Sequence, residues 1–159
     1  MREHPEPGEF LAFANEVVVE EVQAGKFVTM VYVVVDPKTG KTACGVAGHP
    51  PPRLVSADGE VRPLRADGLP LGIDGGQEYG EVRETLEAGA SLVLYTDGVI
   101  EARRGTELFG EARLDALLAE RRALPAEEVA QAVLEECRRF ADGELADDCA
   151  VVVVRRTAP

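Results

Sequence analysis

Ser91-Leu92-Val93-Leu94-Tyr95-Thr96-Asp97-Gly98 decides the fold. An apolar run of strand length stops at a carboxylate followed by glycine. A second run, Cys149-Ala150-Val151-Val152-Val153-Val154, begins directly after Asp147-Asp148. One strand ends in its aspartate and the other begins with its pair. Laid antiparallel side by side, the two strands bring those ends to the same sheet edge. Carboxylates gathered in one small volume repel and raise each other's pKa unless a cation neutralises them. Oxygen-rich sites of that kind suit Mg²⁺ or Mn²⁺. Each corner also has a plainer reading. Asp-Gly commonly ends a strand as a turn, and Asp147-Asp148 fits a solvated helix-to-strand loop.

Outward from these two runs, the chain alternates short β segments with turns. Lys26 to Asp36 is rich in branched residues, Asp36-Pro37-Lys38-Thr39-Gly40 is a turn, and Lys41 to Ala47 is the returning strand of a hairpin. Gly48-His49-Pro50-Pro51-Pro52 is a stiff loop, because its prolines lack backbone donors. Arg53 to Ser56 and Val61 to Leu64 form a second hairpin about Ala57-Asp58-Gly59-Glu60. Gly68-Leu69-Pro70-Leu71-Gly72 is another rigid loop, and Glu78 to Leu86 a further strand that turns at Glu87-Ala88-Gly89. Three helices complete the pattern. Pro7 to Ala24 places Leu11, Ala14, Val17, Val18 and Val22 on one face and stops at Gly25. Glu111 to Ala123 places Leu114, Leu117 and Leu118 together. Pro125 to Phe140 has Pro125 in its first turn and Val129, Ala132, Val133 and Phe140 as its stripe, and Asp142-Gly143 ends it. A β-rich chain with a helix pair before its last strand is α+β rather than alternating βαβ.

The 159 residues form one domain, 1–159, able to bury roughly 70% of the unfolded chain's surface. A formal net charge of −12, spread along the chain, argues against nucleic acid and against an anionic membrane surface. Acidity does not exclude a phosphorylated substrate where bound metal reverses the local field. Cys44, Cys137 and Cys149 are far apart, have no metal spacing and sit in apolar segments, so they read as buried free thiols. No signal core and no transmembrane run is present, which predicts a cytoplasmic protein.

Phe27-Val28-Thr29-Met30, Asp36-x-x-Thr39-Gly40, Ala47-Gly48-His49-Pro50-Pro51-Pro52, Gly68-Leu69-Pro70-Leu71-Gly72, Leu94-Tyr95-Thr96-Asp97-Gly98-Val99-x-Glu101-Ala102-Arg103, Leu108-Phe109-Gly110 and Asp147-Asp148 occur in one order. Together they resemble the SpoIIE/RsbU branch of the PPM-type, metal-dependent serine/threonine protein phosphatases, from about Phe10 to Arg156. The resemblance implies a β-sandwich flanked by helices, with a dinuclear Mn²⁺ or Mg²⁺ site at one end. It implies that Asp97 and Asp147 ligate metal and that Asp148 is their neighbour. Gly98 answers the need for a tight backbone just beyond a ligand. One departure is large. The family's earlier strand, with its Gly-Asp-x-x-Asp motif and metal-bridging aspartate, has no counterpart here, nor has the glycine-rich Asp-Val-x-Gly segment. The chain resembles an N-terminally truncated domain. Asp36 is no substitute, because the hairpin turn accounts for it.

Two functions follow from the resemblance. One is a phosphatase that hydrolyses phosphoserine or phosphothreonine on a regulatory protein, such as a STAS-type anti-sigma-factor antagonist, through a metal-activated water. The other is a non-catalytic module or half-site, completed by a separate N-terminal chain or covered in a homodimer, since lost strands leave open sheet edges. Among the remaining polar residues, His49 reads as a loop residue. Glu101 and Glu111 read as surface charges. Arg103-Arg104 reads as a solvated pair, with phosphate contact as the alternative.

Overall fold

A computed structural model of the chain describes residues 5–21, 25–143 and 145–157. In chain order the elements are helix α1 (Pro7–Glu21), strands β1 (Met30–Val35), β2 (Lys41–Ala47), β3 (Arg53–Val55), β4 (Val61–Pro63), β5 (Glu81–Thr85) and β6 (Ser91–Tyr95), the one-turn helix α2 (Asp97–Ile100), strands β7 (Arg103–Arg104) and β8 (Glu107–Leu108), helices α3 (Gly110–Arg121) and α4 (Ala126–Phe140), and strand β9 (Val151–Arg155). They assort into two compact units. One takes the residues up to Pro51 and Leu64–Thr85; the other takes Pro52–Pro63 and the residues from Leu86 on.

The first unit holds the antiparallel sheet β1-β2-β5, with Met30 opposite Ala47 and Thr42 opposite Glu84. The β1–β2 turn forms because the Asp36 carboxylate accepts hydrogen bonds from the Lys38 and Thr39 N–H groups and the Thr39 hydroxyl. These bonds, the Thr39 hydroxyl foremost, hold the Asp36 carboxyl below its ordinary range. Helix α1 buries Leu11 against Ala47, Leu71 and Tyr79. Its inward line differs from the predicted stripe. Val17 is exposed, while Asn15 is fully buried. Asn15 accepts from Gly72 N–H at 2.9 Å and donates to the Asp74 carbonyl at 2.8 Å, so a polar residue pins the loop that follows Leu71. Val22 and Ala24 lie outside the described residues. The branched run from Lys26 becomes strand only at Met30, because Val28 instead pairs its backbone with Leu71. His49 lies in its loop, with Nδ1 3.0 Å from the Pro50 carbonyl.

The second unit is built on the antiparallel sheet β4-β3-β6-β9. Val93 and Tyr95 of β6 join Leu114 and Leu118 of α3, and Val129, Val133, Cys137 and Phe140 of α4, in one buried cluster. The α4 residues recur at helical spacing, so one stripe faces the sheet. Each such side chain contributes about 1.5–3 kcal/mol by leaving water. Pro125 sits one residue earlier than predicted, as the N-cap of α4, while Glu127 and Glu128 begin the helix and Arg138 and Arg139 end it, as the helix dipole favours. Gly143 donates to the Arg138 carbonyl and closes the helix. Both sheets are antiparallel with helices segregated in sequence, the α+β class the pattern predicts.

Candidate metal centre

Strands β6 and β9 pair in the register that places Tyr95 opposite Val151, so the residues just beyond each strand end meet. Thr96 fastens them together. Its N–H donates to the Ala150 carbonyl at 3.1 Å, its hydroxyl donates to the Asp148 carbonyl at 2.9 Å, and that hydroxyl accepts from Ala150 N–H at 2.9 Å. The predicted convergence of the two aspartate corners is therefore present, held by a residue that the sequence offered only as the tail of a strand. Gly98 is required by the same contact. A Cβ there would stand 2.6 Å from the Asp148 carbonyl oxygen and 3.2 Å from the Cys149 sulfur.

Asp97 is the first residue of α2 and is exposed, as are Asp147 and Asp148. Gly98 N–H donates to Asp97 Oδ1 at 3.0 Å, and Asp148 N–H donates to Asp147 Oδ1 at 2.7 Å. Each carboxylate is thus oriented through one oxygen by the backbone that follows it. Burial pushes the half-buried Cys149 thiol up. The negative field of Asp147 acts in the same direction, Arg138 opposes it, and Asp148 and Asp97 add to it. All three carboxylates therefore add negative field at one thiol. Their oxygens are the hard donors that Mg²⁺ or Mn²⁺ prefers. The set is short, however. Among the described residues no group of three or more His, Cys, Asp or Glu side chains is placed to hold a metal ion. The donors fit in chemistry and not in number.

Arg53 behind this edge went unremarked in the sequence. It is 1% exposed, its Nε lies 2.7 Å from Asp115 and its terminal nitrogen 3.0 Å from Glu111, and its guanidinium stands over the Tyr95 ring at 5.6 Å. Burial works against its charge, but the bond to Asp115, the field of Tyr95 and the bond to Glu111 hold the guanidinium above its ordinary pKa. Glu111 is accordingly not a free surface charge; it neutralises a buried cation. Beyond α2 the chain forms the small β7–β8 hairpin, also unforeseen.

The sequence matches the family model of stage II sporulation protein E (SpoIIE) over residues 1–157. The chain belongs to the SpoIIE family. It is 31% identical over 151 residues to the phosphoserine phosphatase RsbU of Bacillus subtilis, a match covering 94% of this chain and 45% of that protein. Its fold superposes on the RsbU and RsbW domains of Rv1364c from Mycobacterium tuberculosis with a TM-score of 0.82 at 30% identity, over 96% of this chain and 42% of that one. The phosphatase domain of SpoIIE from Bacillus subtilis, in crystals presoaked with Mn, gives a TM-score of 0.75 at 22% identity, over 99% of this chain and 69% of that one. The fold also superposes on the SiaA-PP2C domain of Pseudomonas aeruginosa with a TM-score of 0.82 at 19% identity, over 94% of this chain and 61% of that one, so it is that of PP2C-type phosphatase domains, and the chain spans less than half the length of RsbU.

Proposed function

We propose that the edge formed by Asp97, Asp147 and Asp148 is the cation-holding end of a phosphoserine/phosphothreonine protein phosphatase site. The observation that carries this reading is the Thr96 clasp, which draws aspartates from distant parts of the chain to one edge. Asp97 and Asp147 would hold a divalent Mn²⁺ or Mg²⁺, with Asp148 beside them. Such an ion supplies an acidified water and neutralises phosphoryl oxygens when bound. The residues of the chain do the positioning. Thr96 fixes the separation of the two corners, Gly98 permits their approach, and the N–H groups of Gly98 and Asp148 orient the carboxylates before any ligand arrives. No cysteine nucleophile is invoked, since burial pushes the Cys137 thiol up to about 12 and the Cys44 thiol to about 11. RsbU is named a phosphoserine phosphatase, and by that similarity the proposed substrate is a phosphorylated regulatory protein, for example one of STAS type.

A second reading is favoured by the short donor set: the edge is a half-site whose remaining carboxylate comes from another chain. Hydrolysis of p-nitrophenyl phosphate with added Mn²⁺, by the protein and by Asp97→Asn, tests the two. Turnover abolished by the substitution supports the phosphatase acting alone. A folded protein that turns over nothing refutes that and leaves the half-site.

A further inference from the structure

The β7–β8 hairpin begins six residues beyond Asp97 and carries cations in a chain of net charge −12. Its two faces are used differently. Arg103 lies opposite Leu108 and Arg104 opposite Glu107, so each pair shares a face. The Arg104–Glu107 face is fastened down. Arg104 and Arg113 each place their guanidinium 4.8 Å from the Phe140 ring centroid, Glu107 bridges both arginines, and Arg113 donates to the Leu108 and Phe109 carbonyls. Bonds from Arg104 and then Arg113 hold the Glu107 carboxyl below its ordinary range. Phe140 in turn packs edge-to-face on the buried Phe109.

The opposite face is left open. Leu108 is 41% exposed and Arg103 is exposed, and the Arg103 guanidinium makes no ion pair or hydrogen bond among the described residues. The exposed Glu101 caps the end of α2 and is not joined to it. A two-strand ribbon is rarely stable alone. Here one face is clamped to α4 by stacking and ion pairing, while a cation beside an apolar side chain is presented on the other. That presentation costs little backbone entropy on binding, because the ribbon beneath it is already held.

We propose that the Arg103–Leu108 face of this hairpin is a docking surface for the protein substrate, recognising an acidic side chain next to an apolar one near the phosphorylated residue. It rests on the phosphatase reading for its occupant. Arg103 attracts the carboxylate of the acidic side chain, Leu108 covers its apolar neighbour, and charge opposition to the largely acidic remainder of the surface favours approach here.

The test uses the full chain in EDTA, so that binding is read without turnover. Fluorescence anisotropy follows a labelled phosphoserine peptide flanked by glutamates and leucines, and a second in which lysines replace the glutamates. The glutamate peptide is expected to bind more tightly, and more weakly as salt rises. Arg103→Glu should weaken it about three- to tenfold, as should Leu108→Asp, while Arg121→Glu, the same charge change elsewhere, stays within about twofold. Equal effects of Arg103→Glu and Arg121→Glu overturn the proposal, as does a wild-type protein that binds neither peptide or shows no preference. A p-nitrophenyl phosphate arm separates the two claims. Arg121→Glu should leave that turnover unchanged, and absence of turnover in the wild type counts against the phosphatase alone, with the binding arm still deciding the hairpin.

Discussion

At the scale of single residues, Thr96 and Gly98 matter as much to the carboxylate edge as the aspartates. Thr96→Val keeps the shape and removes a hydroxyl that both donates and accepts. It leaves the Asp148 carbonyl and Ala150 N–H to water or to nothing, a loss of about 1–3 kcal/mol in urea unfolding. Gly98→Ala forces a Cβ into the Asp148 carbonyl and should cost a similar ~1–3 kcal/mol, because the atom struck is backbone and must move the loop. Both variants should also weaken Mn²⁺ binding, which a merely destabilised but intact edge would not. The buried thiols carry the pH dependence. Cys44 and Cys137 are raised to about 11 and about 12, so above pH 9 unfolded chains ionise these groups while folded ones retain the protons. The stability the two protons confer is complete below pH 9 and declines as pH rises through 11 to 12. Thermal melts at rising pH should show that decline, and Cys44→Ala/Cys137→Ala should flatten it. The two aspartate corners were legible as strand ends, one closing an apolar run before glycine and the other opening a valine run. The clasp was not, since a threonine at the end of a β run carries no sign of where its hydroxyl goes.

At the scale of elements, the strands that bear the site were readable because their apolar runs are uninterrupted and the turns between them contain Gly, Pro or Asp. Those near irregular pairings were less so. Glu78 and Tyr79 read as strand, but Gly80 N–H bonds the Asp67 carbonyl and Tyr79 enters the α1 core, so β5 starts only at Glu81. Helix α2 and the β7–β8 hairpin are too short to show a period. The Arg53 ion pairs were hidden for another reason: an arginine opening a strand reads as exposed, and its partners lie far along the chain on α3. These pairs join β3 to α3 and back the Tyr95 ring. Arg53→Ala should destabilise by about 2–4 kcal/mol, less than a fully buried pair because Glu111 and Asp115 are 43% and 32% exposed and can rehydrate. Arg53→Met, which fills the volume, should recover most of the loss. Denaturant midpoints of the two variants check this.

At the scale of the whole molecule, the α+β class and the SpoIIE family were both legible, the first from the order of periodic segments and the second from motifs in sequence order. The division into two compact units was not, because each unit draws on separated stretches and no composition change marks the exchange. What the family resemblance implied and the described residues do not supply is a third carboxylate. The central claim is therefore about cation binding at one edge. Titration of the purified protein with Mn²⁺, followed by the electron paramagnetic resonance signal of the free ion, tests it most directly. The account predicts saturable uptake by the wild-type protein, weakened by about tenfold or more in Asp97→Asn and likewise in Asp147→Asn. Uptake unchanged by either substitution, or no uptake by a folded wild-type protein, would contradict it.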